Sequence, residues 1–184
     1  TESGSQSVSI TVTEDESAPT VSLASSNASI AESSTSSITL TATLSQIADE
    51  AVTVSFSTSG VATSGADYSS ISSITIAAGS TAGTTSFTPT DDAIYEGDEV
   101  ATVAISSVSG GGATESGSQS VSITVTEDES APTVSLAVSS SSVYDNGSSL
   151  TITAISTQIS DESITIFIGT SGAATEGNDY GYIS

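Results

Sequence analysis

The sequence has 184 residues and a formal net charge of −22 at pH 7, because it contains 22 acidic residues and no lysine, arginine or histidine. This charge excludes proteins that bind phosphates through basic side chains, so we expect neither nucleic acid nor an anionic membrane surface as a partner. No apolar run is long enough to cross a bilayer, and there is no cysteine for a disulfide or a thiolate metal site. Cationic partners or metal ions remain.

A long identical repeat divides the chain. Residues 1–24 recur letter for letter as residues 114–137, which indicates a repeat of about 113 residues. After this block the copies diverge but stay in register with one gap, as in residues 59–68 and 171–180. We predict the C-terminal strand and acidic tail of a preceding repeat over residues 1–18, a complete repeat over 19–130, and the N-terminal half of a following repeat over 131–184. With no methionine in the chain, we expect it to be part of a longer protein.

Within the complete repeat, apolar residues alternate with polar ones in successive runs, which is the pattern of β-strands with one buried face. In chain order these apolar residues are Val21 and Leu23; Ile38, Leu40, Ala42 and Leu44; Val52, Val54 and Phe56; Ile74 and Ile76; Phe87; Ala101, Val103 and Ile105; and Val121, Ile123 and Val125. No segment shows a helical period. The pattern predicts an all-β fold of tandem immunoglobulin-like antiparallel β-sandwich repeats, each with about seven strands.

Five carboxylates lie among the nine residues 91–99. Carboxylates this close together raise one another's pKa unless a positive charge intervenes, and the chain has no basic side chain to supply one. We interpret this segment as a calcium-binding loop. The alternative is a solvated acidic turn.

The complete repeat contains a set of motifs in a characteristic order. They are an early acid at Glu32, the residues Thr58, Gly60 and Ala62 leading to Asp67 and Tyr68, the acidic run 91–99, and an acidic tail at Glu127, Asp128 and Glu129. Together, and over the whole complete repeat, they resemble the Calx-beta domain, the calcium-binding sandwich of sodium/calcium exchangers, one integrin β chain and many large bacterial surface proteins.

The resemblance implies that calcium ions are held at one end of the sandwich by loops distant in sequence. The ligands it implies are Glu32, Asp67, Asp91, Asp92, Glu96 and Glu99, the backbone carbonyl of Ile94 as a further candidate, and the tail acids Glu127, Asp128 and Glu129. Asp98 is expected to face solvent. Ala93 stands where relatives often carry a third acid, and the tail has glutamate at two places where aspartate is common, so the number of ions per repeat stays open.

The flanking segments carry matching acids. Glu14, Asp15 and Glu16 should belong to the site of the preceding repeat, and Asp145 and Asp179 to that of the following one, with neither site complete. We interpret the pair Asp49 and Glu50, together with its counterpart Asp161 and Glu162, as solvated hairpin turns rather than metal ligands.

These features lead us to expect a calcium-rigidified spacer in a secreted or cell-surface adhesin or filament, with neighbouring repeats of the same chain as its partners. The linkers, residues 17–19 and 130–132, are too short for free rotation, so ions at the acidic tail could stiffen the joint. The alternatives are a calcium-sensing regulatory module, separable by affinity, and a protein that assembles with like chains into an extracellular sheath or matrix.

We do not expect an enzyme. The chain lacks histidine, cysteine, lysine and arginine, so only carboxylate pairs remain for acid and base chemistry. A glycosidase pair is conceivable, but the clustered acids are better explained as metal ligands.

Overall fold

The computed structural model describes residues 4–13, 15–144, 147–181 and 183. In these ranges the regular secondary structure is entirely β, and no described helix is long and apolar enough to cross a membrane. The strands are β1 (Thr20–Ser25), β2 (Ser29–Ala31), β3 (Ile38–Leu44), β4 (Val52–Gly60), β5 (Ile74–Ile76), β6 (Ala82–Phe87), β7 (Glu99–Ser109), β8 (Thr114–Glu115), β9 (Ser120–Thr126), β10 (Val134–Val138) and β11 (Ile152–Ser156).

Two sheets, formed by β1 to β9, make up a sandwich. The first has the order β6-β3-β1-β8, and the second has the order β2-β9-β7-β4-β5. Neighbouring strands are antiparallel except for the short pairs β1–β8 and β2–β9, which are parallel. All nine strands lie within residues 19–130, which we call the central unit.

The core between the sheets consists mainly of small aliphatic side chains. Val21 and Leu40 from the first sheet and Val54, Val103 and Ile123 from the second are fully buried in one continuous cluster. The all-β sandwich expected from the alternating pattern is therefore confirmed, because the apolar residue of each polar–apolar pair faces the core. Phe56 and Val121 are the exceptions, since they pack against the cluster but are only partly buried.

The alternating sequence pattern does not predict two of the strands. β2 and β8 have three and two residues, too few for an alternation to be visible. A register shift between Ser55 and Phe56, where β4 pairs with β7, also interrupts the alternation. This irregularity explains why Phe56 is less buried than Val54 on the same strand.

The remaining strands, β10 and β11, pair in residues 131–184, which we call the following segment. Val134 lies opposite Ser156, just as Val21 lies opposite Leu44 in the central unit. The side chains differ in their surroundings: Leu136 is 53% exposed, whereas its counterpart Leu23 is 8% exposed. Local sequence therefore reproduces the strand pairing, while burial depends on a second sheet.

Candidate metal centre

The register of the five-stranded sheet brings the acidic segments to one end of the sandwich. Ala31 and Thr126, the last residues of β2 and β9, are paired. Glu99, the first residue of β7, pairs with Val125 near the end of β9, and β4 ends beside the start of β7 because those two strands are antiparallel. The segments after β2, β4 and β9 and the segment before β7 therefore meet at one end.

The loop after β4 fixes the position of Asp67. The Asp67 carboxylate accepts hydrogen bonds from the backbone N–H of Thr63 and from its hydroxyl, the latter at 3.1 Å. Gly65 has a φ of +99° and donates its N–H to the carbonyl of Tyr68 at 2.7 Å, a backbone shape that favours glycine. Tyr68 is buried and stacks on Phe87 with ring centroids 4.6 Å apart, which anchors the loop to the core.

Asp67, Glu96 and Glu99 form the first acidic cluster. One carboxylate oxygen of each lies within 4.8 Å of the others. Asp67 is 7% exposed, and Oε2 of Glu99 is buried without a hydrogen-bond partner. Burial, followed by repulsion from Asp67, raises the pKa of both Glu96 and Glu99 to about 7. The cluster thus has more negative charge than its surroundings neutralise.

Glu32, Glu127, Asp128 and Glu129 form the second acidic cluster, with one oxygen of each within the same 4.8 Å limit. Glu32 follows β2, and its N–H donates to the carbonyl of Thr126 at 3.1 Å, which places it beside the acidic tail. Glu32 is only 6% exposed, and its Oε1 has no hydrogen-bond partner. Burial, and then the neighbouring tail acids, raise the pKa of Glu32 to about 9.

Glu127 connects the two clusters. Its Oε2 accepts the N–H groups of Glu96 at 2.5 Å and Gly97 at 2.7 Å, and its Oε1 accepts those of Asp128 at 3.1 Å and Glu129 at 2.9 Å. Burial alone would raise the pKa of Glu127, but the N–H groups of Glu96, Glu129 and Gly97 outweigh it and lower the pKa to about 2. This carboxylate therefore holds the acidic tail against the loop before β7.

Three acids of the segment 91–99 lie outside both clusters. Asp91 and Asp92 are exposed, and Asp92 accepts the N–H of Ile94 at 2.7 Å, forming a local turn. The negative charge of Asp92 nevertheless contributes to the raised pKa of Glu96. Asp98, expected to face solvent, is exposed, but its Oδ1 also accepts the N–H of Glu127 at 3.0 Å.

The predicted acids of the flanking segments are also outside the two clusters found in the described part of the chain. Asp15, Glu16 and Asp179 are exposed, and none belongs to either group. Glu14 and Asp145 lie outside the described residues.

Asp161, which the sequence predicts to lie in a solvated turn, is exposed and belongs to neither cluster, but it contacts the loop that carries Glu96. Its N–H donates to the carbonyl of Tyr95 at 3.4 Å, and its charge contributes to the raised pKa values of Glu96 and Glu99. No local motif in the sequence indicates this contact, because it arises from the way the following segment meets the central unit.

The donor set fits a hard divalent cation. Three buried carboxylate oxygens, on Glu32, Glu99 and Glu129, have no partner among the described residues. A buried anionic oxygen without a partner is costly, and a cation would remove that cost. Calcium takes six to eight oxygen ligands in irregular geometry, which suits a site assembled from separate loops, whereas magnesium requires a nearly ideal octahedron.

These features define a class of protein: a β-sandwich module with an acidic, cation-binding end. The sequence model of the Calx-beta domain matches residues 14–130, and the chain belongs to the Calx-beta family, a family of calcium-binding domains. The predicted resemblance is thereby confirmed.

A solved structure agrees with this fold, and a second one is reported beside it. The apo-form Calx CBD1 domain is similar with a TM-score of 0.50 and 14% identity, covering 60% of this chain and 99% of that one. The structure of CBD12 from CALX1.2 has a TM-score of 0.49 and 14% identity, covering 58% of this chain and 44% of that one. No curated protein sequence matches the chain.

Proposed function

We propose that the central unit binds Ca²⁺ at its acidic end and that the chain is a calcium-rigidified spacer of a secreted or cell-surface adhesin or filament. One observation carries the calcium part. Two carboxylate clusters converge with buried, unpartnered oxygens in a chain that has no lysine, arginine or histidine. The chain has no basic side chain to neutralise them, which supports binding of a cation from solvent.

The first cluster, with Asp67, Glu96 and Glu99, and the second, with Glu32 and the acidic tail, would hold the metal. Bound calcium supplies positive charge and takes the place of the protons that Glu32, Glu96 and Glu99 otherwise retain near neutral pH. Glu127 keeps the two clusters together through its four backbone N–H donors. Asp91, Asp92 and the carbonyl of Ile94 remain candidate outer ligands on the loop before β7.

The spacer role rests on the repeat. A structural spacer uses many copies of one module, and 24 consecutive residues recur identically in this chain. The acidic tail at residues 127–129 also lies directly before the short linker to the next copy. An ion at the tail would therefore sit at the joint. We extend the proposal to an extracellular location. We also propose a non-enzymatic role, since the clustered carboxylates are accounted for as metal ligands.

A calcium sensor is the second candidate, favoured by membership of a family that includes the Calx CBD domains. Affinity separates the two: a spacer in an extracellular setting needs dissociation constants of about 10⁻⁴ to 10⁻³ M, and a sensor needs about 10⁻⁷ to 10⁻⁵ M. Lateral assembly into a sheath would instead appear as calcium-dependent association in light scattering and electron microscopy.

The test is calorimetric titration and thermal unfolding of the 184-residue chain in calcium, magnesium and EDTA. A ligand at 100 times its dissociation constant stabilises the folded state by about 2.7 kcal/mol, so we expect calcium to raise Tm by about 10 °C. Magnesium at the same concentration should have a much smaller effect. Equal melting temperatures in calcium and EDTA would overturn the proposal.

A further inference from the structure

The turn after β11 in the following segment contacts the metal-binding loop of the central unit. The N–H of Tyr95 donates to the carbonyl of Ile159 at 3.1 Å, and the N–H of Asp161 donates to the carbonyl of Tyr95 at 3.4 Å. The hydroxyl of Ser160 also donates to the Tyr95 carbonyl at 2.9 Å, and Tyr95 and Ser160 form a parallel β-bridge. The main chain of Tyr95 is therefore paired on both its N–H and its carbonyl with the following segment.

This contact places Asp161 beside the loop that carries Glu96, although Asp161 does not belong to the first acidic cluster itself. Tyr95 directly precedes Glu96, so a residue bonded to the Tyr95 carbonyl stands next to the cluster. Asp161 is exposed and acts electrostatically on both Glu96 and Glu99. Pairing of the backbones thus brings one more carboxylate toward a group of carboxylates with no basic residue nearby. Without a cation, this arrangement is repulsive.

Hydrogen bonds to the linker hold the turn in position. The side-chain amide of Gln158 donates to the carbonyl of Ser130, and the N–H of Thr133 donates to the hydroxyl of Thr157 at 2.9 Å. The junction before the central unit has the same two contacts at the corresponding positions, from Gln46 to Ser17 and from Thr20 to Ser45. Similar local sequences therefore hold the turn close to the linker at both junctions.

We propose that Asp161 is a calcium ligand contributed by the following segment, so that the ion at Asp67, Glu96 and Glu99 is shared between two adjacent repeats. This inference rests on the proposed function, since it assumes that calcium occupies the first cluster. Two buried oxygens without hydrogen-bond partners among the described residues, Oε2 of Glu99 in this cluster and Oε1 of the buried Glu32 in the adjoining second cluster, are the independent sign that this end of the sandwich takes a cation.

A shared ion couples metal binding to the geometry of the joint. If docking of the turn strengthens calcium binding, then calcium strengthens docking by the same factor. In calcium the turn stays paired with Tyr95, and in EDTA the opposed carboxylates separate it. The counterparts Asp49 and Glu50, exposed on the central unit, would meet the preceding repeat in the same way.

The decisive variant is Asp161→Asn in the 184-residue chain, with Asp49→Asn as the matched control. Both residues are exposed and occupy equivalent turns, and both substitutions remove one charge. Calorimetric titration with calcium should show about tenfold weaker binding for Asp161→Asn, within the range of typical coupling between sites. Asp49→Asn should bind like the parent chain.

The joint is measured separately by electron–electron resonance between spin labels. The chain has no cysteine, so Ser86→Cys on β6 and Thr153→Cys on β11, both exposed, give one label on each side of the junction. We expect a narrow distance distribution in calcium and a broad one in EDTA. Asp161→Asn should stay broad at calcium concentrations that narrow the parent and the Asp49→Asn control.

The two proposals fail in different ways. If the parent chain binds no calcium, the proposed function is wrong. If the parent binds calcium while Asp161→Asn matches Asp49→Asn in affinity and in distance distribution, the shared ion is wrong and the calcium site belongs to the central unit alone. Unchanged affinity with a broadened distribution would also reject Asp161 as a ligand.

Discussion

Two loops in this chain have the same local sequence pattern and different surroundings. Residues 63–68 and 175–180 both place a threonine four positions before an aspartate, with a glycine between them. Asp67 and Asp179 each accept hydrogen bonds from the backbone N–H and the hydroxyl of that threonine. The glycine N–H donates to the tyrosine carbonyl at 2.7 Å in both loops. A few local residues are therefore sufficient to build this loop.

The aspartates nevertheless differ in chemistry. Asp67 is 7% exposed and lies among Glu96 and Glu99, whose pKa values are raised. Asp179 is exposed, belongs to neither acidic cluster of the described residues, and has a lowered pKa because Thr175 donates to it. Local residues are sufficient to form the loop, whereas the acidic clusters require the second sheet and the segments at its end.

The strongest way to test this difference is to neutralise each aspartate in turn. Asp67→Asn removes a buried carboxylate from the first cluster, and we expect calcium affinity to fall more than tenfold, since affinity follows the number of charged ligands. Asp179→Asn changes the same atoms in the same local loop and should leave calorimetric binding unchanged. Equal losses in the two variants would contradict the assignment of the site to the central unit.

A second test uses pH in the absence of metal. The pKa of Glu32 rises from 4.5 to about 9 in the folded state, and those of Glu96 and Glu99 rise to about 7. A carboxyl group with a raised pKa binds its proton more tightly when folded, so its stabilisation is complete below about pH 4.5 and is lost as the pH rises through the folded value. We therefore expect Tm in EDTA to fall between about pH 5 and 9.

Calcium should change this dependence, because it replaces the bound protons. The difference in Tm between calcium and EDTA should widen over the same pH interval. Glu32→Gln, which removes the most strongly shifted group, is the control and should flatten the EDTA profile. If Tm of the parent chain in EDTA did not change with pH over this interval, the pKa values of these carboxylates would not be raised by shared burial.

The smallest expected effect comes from the loop glycines. Gly65 and Gly177 have φ values of +99° and +85°, and a methyl group at either would meet no atom within 4 Å. Alanine would therefore cost only backbone strain, about 1 kcal/mol. Gly65→Ala should lower the unfolding free energy of the central unit by this amount in chemical denaturation. Gly177→Ala should leave that transition unchanged, and an equal decrease would show that both loops are packed alike.

Much of the fold was predictable because its determinants are local. The alternation from Val21 to Val125 identified the longer strands, and the order of acidic motifs indicated the Calx-beta family. β2 and β8 were not predicted, since each depends on a parallel partner distant in sequence. The interruption at Phe56 was also invisible, because a register shift is a property of two paired strands.

The candidate site was predictable in part. Glu32, Asp67, Glu96, Glu99 and the tail acids, all named from the resemblance, are brought together in the two clusters. Whether they and the outlying Asp91 and Asp92 bind metal stays a prediction.

The sequence by itself determined the alternating strands, the self-contained aspartate loops and a negative charge that no basic side chain balances. These follow from side-chain period, glycine and threonine at fixed offsets, and composition. Tertiary structure alone decided which acids meet, that Glu127 accepts two N–H groups from the loop before β7 and two from its own tail, and that Asp161 pairs with Tyr95 beside the first cluster. Such proximity depends on strand register and on the joint between segments. No short stretch of residues specifies either of them.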